Sequence, residues 1–376
     1  MSTATEPTVA PDHRGAIVTG PHTPWAHTLR TATLAAVAVV VVLVAFAWPS
    51  ITSKAQNLPV AAVGSADQVS QVTSKAPQGA LDVRATSSRA HALDLIRTRE
   101  VYGAMVLGDS PEILVASAGS PVAAQALTQI GTQMQAQINS QAIARLQDAL
   151  KQASQAAQAA AKGQAPPPGQ SPPAQAPAAL PVVTVTDVVP VAPDDPRGTG
   201  LAVAGLPLAL GGMIGGVLIS LLVSGTWRRL TAILAYGIVA GLGLAGVLQG
   251  WFHILQGSFW ANTAAIGLGI VGTAAIIVGF NALIGRAGIA LGAIITLFVG
   301  NPLSALTQPK EFLPPPWGDV GQWFVPGASG TLLRDLSYFP DASAVFPWLV
   351  LAVWAVLGAV LTAVGHFRDE PAVAGV

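Results

Sequence analysis

The chain has 376 residues, of which 52% are hydrophobic and only 10% charged, against about 25% charged in ordinary soluble domains. So few charges would not hold a globular protein of this size in water, and the 18 basic and 18 acidic residues cancel, which excludes a basic nucleic-acid binder. The absence of cysteine excludes disulfide scaffolds, Cys-ligated zinc, iron–sulfur clusters and cysteine nucleophiles.

The predicted fold class is therefore an α-helical integral membrane protein, and the gaps between charges mark its spans. Residues 1–30 read as a cytoplasmic tail. Between Arg30 and Lys54 lie 23 uncharged residues, apolar from Leu34 to Trp48, which predicts a first transmembrane helix over 31–50. Ala45-Phe46-Ala47 also fits a signal-peptidase site. A 30-residue leader region is long and a bulky Trp48 follows, so an uncleaved anchor is expected.

Residues 51–162 predict an extracytoplasmic α/β module with a helical stalk. Strands are expected at 58–63, 81–85, 101–107 and 112–116, with helices at 67–75 and 89–99 between them. A module this small is marginal alone and should lean on a partner or the membrane. From Pro121 to Lys162 a Gln- and Ala-rich helix carries Leu127, Ile130, Met134 and Ile138 on one stripe, continued by Ile143, Leu146 and Leu150. It reads either as a projecting stalk or coiled-coil contact, or as a helix packed on the module. Residues 163–200 follow as a Pro-rich linker and a strand over 182–191.

Residues 201–368 predict a five-helix bundle with spans at 201–226, 230–251, 260–284, 287–305 and 346–367. The 56 uncharged residues between Arg229 and Arg286 are too many for one crossing and divide at the semi-polar stretch 249–258. The external loop 302–344 is broken by Pro302, Pro309 and Pro314-Pro315-Pro316. A short amphipathic helix over 331–338 bears Arg334 and Asp335. The loop reads as a re-entrant segment dipping into the outer leaflet, anchored by Trp317, Trp323 and Tyr338. A cytoplasmic tail, 369–376, closes the chain. Arg14, Arg30, Arg228, Arg229, Arg286 and Arg368 all fall on one side of this six-span arrangement, so both termini are expected in the cytoplasm of a bacterial cell, the protein being multi-pass in its membrane.

Catalytic motifs are missing. None of the lysines stands in a Gly-Lys-Ser/Thr context, there is no His-Glu-x-x-His or Gly-x-Ser-x-Gly, and the six histidines have no ligand spacing. No enzyme activity, cofactor or metal is expected. Gly241/Gly243/Gly246 and Gly267/Gly269/Gly272 match G-x-G-x-x-G, but inside apolar spans with no preceding strand. Close helix packing explains them better, and Gly211/Gly215, Gly237/Gly241 and Gly288/Gly292 have the G-x-x-x-G spacing of such contacts, whether within the bundle or at a homodimer seam. No Asp, Glu, Lys or Arg lies within a predicted span, so an internal ion-coupled power source has no support.

Three stretches carry a resemblance: Arg99-Glu-Val-Tyr-Gly-Ala-Met-Val-Leu107, Asp195-Pro-Arg-Gly198 running into Leu206-Pro-Leu-Ala-Leu-Gly-Gly212, and Phe324-Val-Pro-Gly-Ala-Ser-Gly-Thr-Leu-Leu-Arg-Asp-Leu-Ser-Tyr-Phe339. With the one-plus-five topology, the chain resembles permease subunits of type-2 ABC exporters, particularly the phage-infection-protein-like branch. The resemblance implies a homodimeric half-transporter that moves a hydrophobic or cell-envelope substrate outward. An interfacial helix would lie at Trp25 to Arg30. Arg228, Arg229 and Arg286 would face a separate nucleotide-binding ATPase. The external loop, with Trp317, Trp323, Arg334 and Asp335, would act as the gate. The alternative is a non-transporting envelope scaffold, receptor or secretion accessory that recruits envelope proteins through 51–162.

Overall fold

The computed structural model describes residues 24–75, 78–162 and 181–369. Most of the amino-terminal tail, most of the Pro-rich linker and nearly all of the carboxy-terminal tail expected from the sequence lie outside the described residues. The chain divides into two units, Met1–Val44 and Ala45–Val376. Helix α1 (Trp25–Thr52) begins in the first, and its side chains from Leu34 to Trp48 are all apolar.

The second unit opens with the α/β module. Its elements are β1 (Leu58–Val63), α2 (Ala66–Lys75), β2 (Leu81–Thr86), α3 (Arg89–Arg97), β3 (Gly103–Val106), β4 (Glu112–Val115), α4 (Pro121–Ala161) and β5 (Thr184–Asp187). The sheet order is β2-β1-β3-β4-β5, parallel except for the β3–β4 hairpin. Local chemistry explains the helix starts. Ser65 and Gln68 form a reciprocal capping box ahead of α2, Ser65 N–H donating to Gln68 Oε1 at 2.9 Å and Gln68 N–H to Ser65 Oγ at 3.3 Å. Ser88 caps α3 by accepting from the His91 N–H.

Alternation along the central strands gives the sheet two dry faces. Leu58, Val60, Ala62, Met105, Ile113 and Val115 meet Leu127 of α4 on one side. Ala61, Ala104 and Leu114 meet Ala92 and Ile96 of α3 on the other. Helix α4 combines the two readings of its stripe. Its first half is packed, with Leu127 buried, whereas Ile143, Leu146 and Leu150 are exposed on the second half. Strand β5 is shorter than the expected 182–191 because prolines follow it closely, at 190 and 193.

The helical part comprises α5 (Gly200–Leu222), α6 (Thr226–Ala245), α7 (Phe259–Ile284), α8 (Arg286–Ala293), α9 (Asn301–Leu303), α10 (Trp317–Gly321), α11 (Val325–Tyr338) and α12 (Val345–Asp369). Wider π-helical turns prolong α6 over Gly246–Trp251 and join α8 to α9 over Ile294–Gly300. Among the described residues six helices are long and apolar enough to cross a membrane: Trp25–Pro49, Gly200–Leu222, Thr226–Trp251, Phe259–Ile284, Arg286–Leu303 and Val345–Gly365. They fall where the charge gaps put them. Asp195 marks the first turn of α5, its carboxylate accepting from the N–H groups of Thr199 and Gly200 at 3.1 and 2.7 Å.

Helix α7 is the centre of the bundle, enclosed by α5, α6, α8, α11 and α12. The small residues expected at helix contacts are used within the chain. Gly215 admits the ring of Tyr236, whose hydroxyl donates to the Gly211 carbonyl at 2.6 Å. Gly237 and Gly241 of α6 lie against Val271 and the α7 backbone, and Gly288 and Gly292 of α8 lie against Phe280 and Ile277. The semi-polar stretch between α6 and α7 is fastened by buried Asn262, which donates to Gln249 Oε1 and the Gln256 carbonyl.

Candidate functional site

The segment between α9 and α12 is where the module and the bundle meet within the second unit. Helix α11 starts at Val325, six residues before the expected 331, because Phe324 leaves the chain extended and Pro326 fits the first turn. Val325, Ala328, Leu332 and Leu333 pack into the bundle core beside Ile266, Ile270 and Leu351. This fixes the opposite side of α11, with Thr331, Arg334 and Asp335, towards the module. Two aromatic side chains from the same segment complete the module's own cores. Phe312 joins the α4 face of the sheet and Phe339 the α3 face. The module thus finds within this chain some of the support that its small size requires.

Further bonds hold the segment down. Lys54 N–H donates to the Phe312 carbonyl at 3.1 Å, and Gln56 Nε2 to the Leu313 carbonyl at 3.0 Å. Two glycines allow the tight path. A side chain at Gly318 or Gly321 would meet the backbone carbonyl of Lys310 or Leu303 at under 2 Å. Tyr338, expected as a membrane anchor, instead turns inward and donates to the Ile254 carbonyl at 2.5 Å.

Between the module and this segment lies a cavity of about 460 Å³. Its charged lining is paired across it. Asp335, buried, accepts from Arg99, whose guanidinium also lies 5.4 Å from the centre of the Phe339 ring. Tyr102 donates to Glu311 at 3.0 Å, and Lys310 bonds Asp319 at 2.7 Å. Arg334 Nη2 donates to the Leu306 carbonyl at 3.2 Å. Burial pushes the Asp335 carboxyl above its usual value and Arg99 pulls it back in part. Burial, helped by the like charge of Arg99, brings Arg334 down to about 10, so it stays charged at neutral pH. Burial and the nearby Glu311 carboxylate both raise the Tyr102 phenol, which keeps its proton for that bond.

Arg99 reaches Asp335 from an unusual position. It is the first residue past Thr98, the C-cap of α3, at φ 60°, with its N–H on the Ile96 carbonyl and the Glu100 N–H on that of Leu95. This is a Schellman ending, whose left-handed residue is ordinarily glycine.

The other expected site residues are distributed as follows. Trp317 and Trp323 border the same segment, 43% and 62% exposed. Trp317 stands edge-on to Trp48 at 6.1 Å and Trp323 edge-on to Phe346 at 5.0 Å. Arg334 and Asp335 belong to the cavity. Arg228 and Arg286 are exposed at the far end of the bundle. Arg229 beside them has an internal task, donating to the carbonyls of Val223 and Ser220 at 2.8 and 3.3 Å and so closing the end of α5. Arg99, Tyr102 and Glu311 were not among the expected site residues. Their signal was faint: Arg99 opens one of the stretches that carry the resemblance, and Lys310-Glu311 is a charged pair in a charge-poor loop. No family model, curated protein or solved structure matches the chain, and the functional reading rests on its own residues.

Proposed function

We propose that the chain is a multi-pass protein of the bacterial cytoplasmic membrane with both termini inside, serving as the permease subunit of a type-2 ABC exporter-like system. It would move a hydrophobic or cell-envelope substrate outward as a homodimer with a separate ATPase. The observation that carries this reading is the external segment. Helix α11 packs onto α7 and α12, and the same segment grips the extracytoplasmic module through Phe312, Phe339 and Asp335. A mouth built this way joins movement of the outer domain to movement of the bundle, as a gate requires. No Asp, Glu, Lys or Arg lies in the middle of a span, the arginines of the observed spans standing near their ends, so energy for transport would come from a partner.

Arg228 and Arg286, exposed at the opposite end, are the residues offered to that ATPase; Arg229 is excluded from the test because it closes α5. Gentle purification of the tagged protein from native membranes should retain a near-stoichiometric nucleotide-binding subunit. Arg228→Glu with Arg286→Glu should release it. Recovery of envelope proteins alone, unchanged by those substitutions, would replace the permease with a non-transporting scaffold or receptor. One observation favours that second reading: only residues 223–225 separate α5 from α6, leaving no coupling helix there, while α4 presents exposed Ile143, Leu146 and Leu150 for recruitment.

A further inference from the structure

One face of the module's sheet is not fully covered. Helices α2 and α4 both pack on it, Val72 from one and Leu127 from the other, and a groove of about 490 Å³ lies between them. Leu58, Leu81 and Phe312 contribute to its lining, so it touches the segment that joins the module to the bundle. The volume falls in the range of about 300–1,000 Å³ usual for ligand sites. None of the described residues that line it is charged, in contrast to the cavity around Arg334.

The α4 wall is built from two neighbouring rows with four-residue spacing. Ala126, Ile130, Met134 and Ile138 form an apolar row, and Gln129, Gln133, Gln137 and Gln141 form a row of amides beside it. Gln129, Gln133 and Gln141 are exposed. Four residues of helix rise about 6 Å, and two residues of an extended chain advance about 6.6–6.8 Å. The amides therefore nearly keep step with the two-residue repeat of an extended peptide. From Gln129 to Gln141 the mismatch grows to about 2 Å, which long glutamine side chains can absorb.

The same helix already uses a glutamine in this way, outside the groove. The Val183 N–H donates to Gln135 Oε1 at 2.6 Å, and Gln135 Nε2 donates to the Pro181 carbonyl at 3.4 Å. One side chain thus serves a donor and an acceptor two residues apart on the chain leading into β5. Only an amide offers both functions at once without a charge.

We infer that the groove binds an extended, uncharged stretch of another protein, its backbone on the glutamine row and its alternate side chains against Leu58, Ile130 and Met134. An acyl chain would fit the apolar row but would cover the amides without pairing them, at the cost of their hydrogen bonds to water. The inference concerns the module alone and goes beyond the permease reading.

The test uses the full-length protein in nanodiscs. The probe is a blocked hexapeptide of alternating valine and serine with an uncharged dye, followed by fluorescence polarisation against empty nanodiscs. Saturable binding is expected. N-methylation of one set of alternate residues should weaken it about tenfold and of the other set hardly at all, because an extended chain turns its N–H groups to its two sides in alternation. Gln129→Leu with Gln133→Leu should also cost about tenfold, with the melting temperature near that of the parent because both side chains are exposed. No saturable binding by the parent, equal effects of the two methylation sets, or full binding by the double variant would each overturn the peptide. Displacement of the probe by dodecanol, with dodecanol binding unchanged in the double variant, would make this an acyl-chain groove and overturn it too. None of these results depends on an ATPase, so each can fail while the copurification experiment succeeds.

Discussion

Arg99 pays a conformational cost where glycine would pay none. A left-handed non-glycine residue costs about 1–2 kcal/mol, and Arg99 sits at φ 60° at the end of α3. What it gains is Asp335. That carboxylate is 4% exposed, and breaking a buried pair from one side costs about 3–5 kcal/mol because the other charge is left stranded. The second effect is the larger, so Arg99→Gly should destabilise the protein despite relaxing its backbone. Arg99→Ala, which keeps the strain, should be worse by about 1 kcal/mol. Adding Asp335→Asn to either should recover part of the loss. Thermal unfolding of the purified variants checks this, and an Arg99→Gly protein as stable as the parent would mean the ion pair contributes no more than the backbone strain that glycine relieves.

At the scale of elements, Glu112 ties three of them together. Its carboxylate accepts a fork from Arg89 at the start of α3, at 2.7 and 3.0 Å, and a hydroxyl from Thr186 on β5 at 2.7 Å. Hydrogen bonding from Arg89 is the largest influence, burial opposes it, and the net effect holds Glu112 below its usual 4.5. A carboxylate depressed in the folded state adds stability that is complete above 4.5 and is lost as pH falls through the lower folded value. The gain is modest because Arg89 is half-exposed. Denaturant unfolding of the parent should therefore weaken on acidification below 4.5, and Glu112→Gln should flatten that part of the profile; an unchanged profile would remove Glu112 from the account. Elements were also where the sequence was most readable. Short apolar strand runs and the uncharged gaps that mark the spans are local signals, and the elements they predict lie within a few residues of the observed ones. The candidate site was not readable in the same way. Arg99 and Asp335 are 236 positions apart, and no periodicity links residues at that separation. The charge pair Arg334-Asp335 was visible as an oddity in a charge-poor loop, but what faced it was not. Helix α4 was ambiguous for a physical reason: one continuous stripe serves a packed half and an exposed half.

For the whole molecule, the two ends of the bundle differ in charge as well as in architecture. Arg228, Arg229 and Arg286 stand at the short connections between spans, at the end the proposed orientation puts in the cytoplasm, while the module and the α9–α11 segment occupy the other end. Because the chain has no cysteine, single cysteines can report this polarity without background. Ser110, exposed on the turn between β3 and β4, and Arg228, exposed at the start of α6, are suitable positions. With a membrane-impermeant maleimide, Ser110→Cys should label in intact cells with the outer barrier opened, and Arg228→Cys only after the inner membrane is permeabilised. Labelling of both from outside would sink the six-span arrangement, since a single span, α5, lies between these two sites and puts them on opposite faces. Reversed labelling would keep the spans and invert the direction, placing the Arg334 cavity in the cytoplasm.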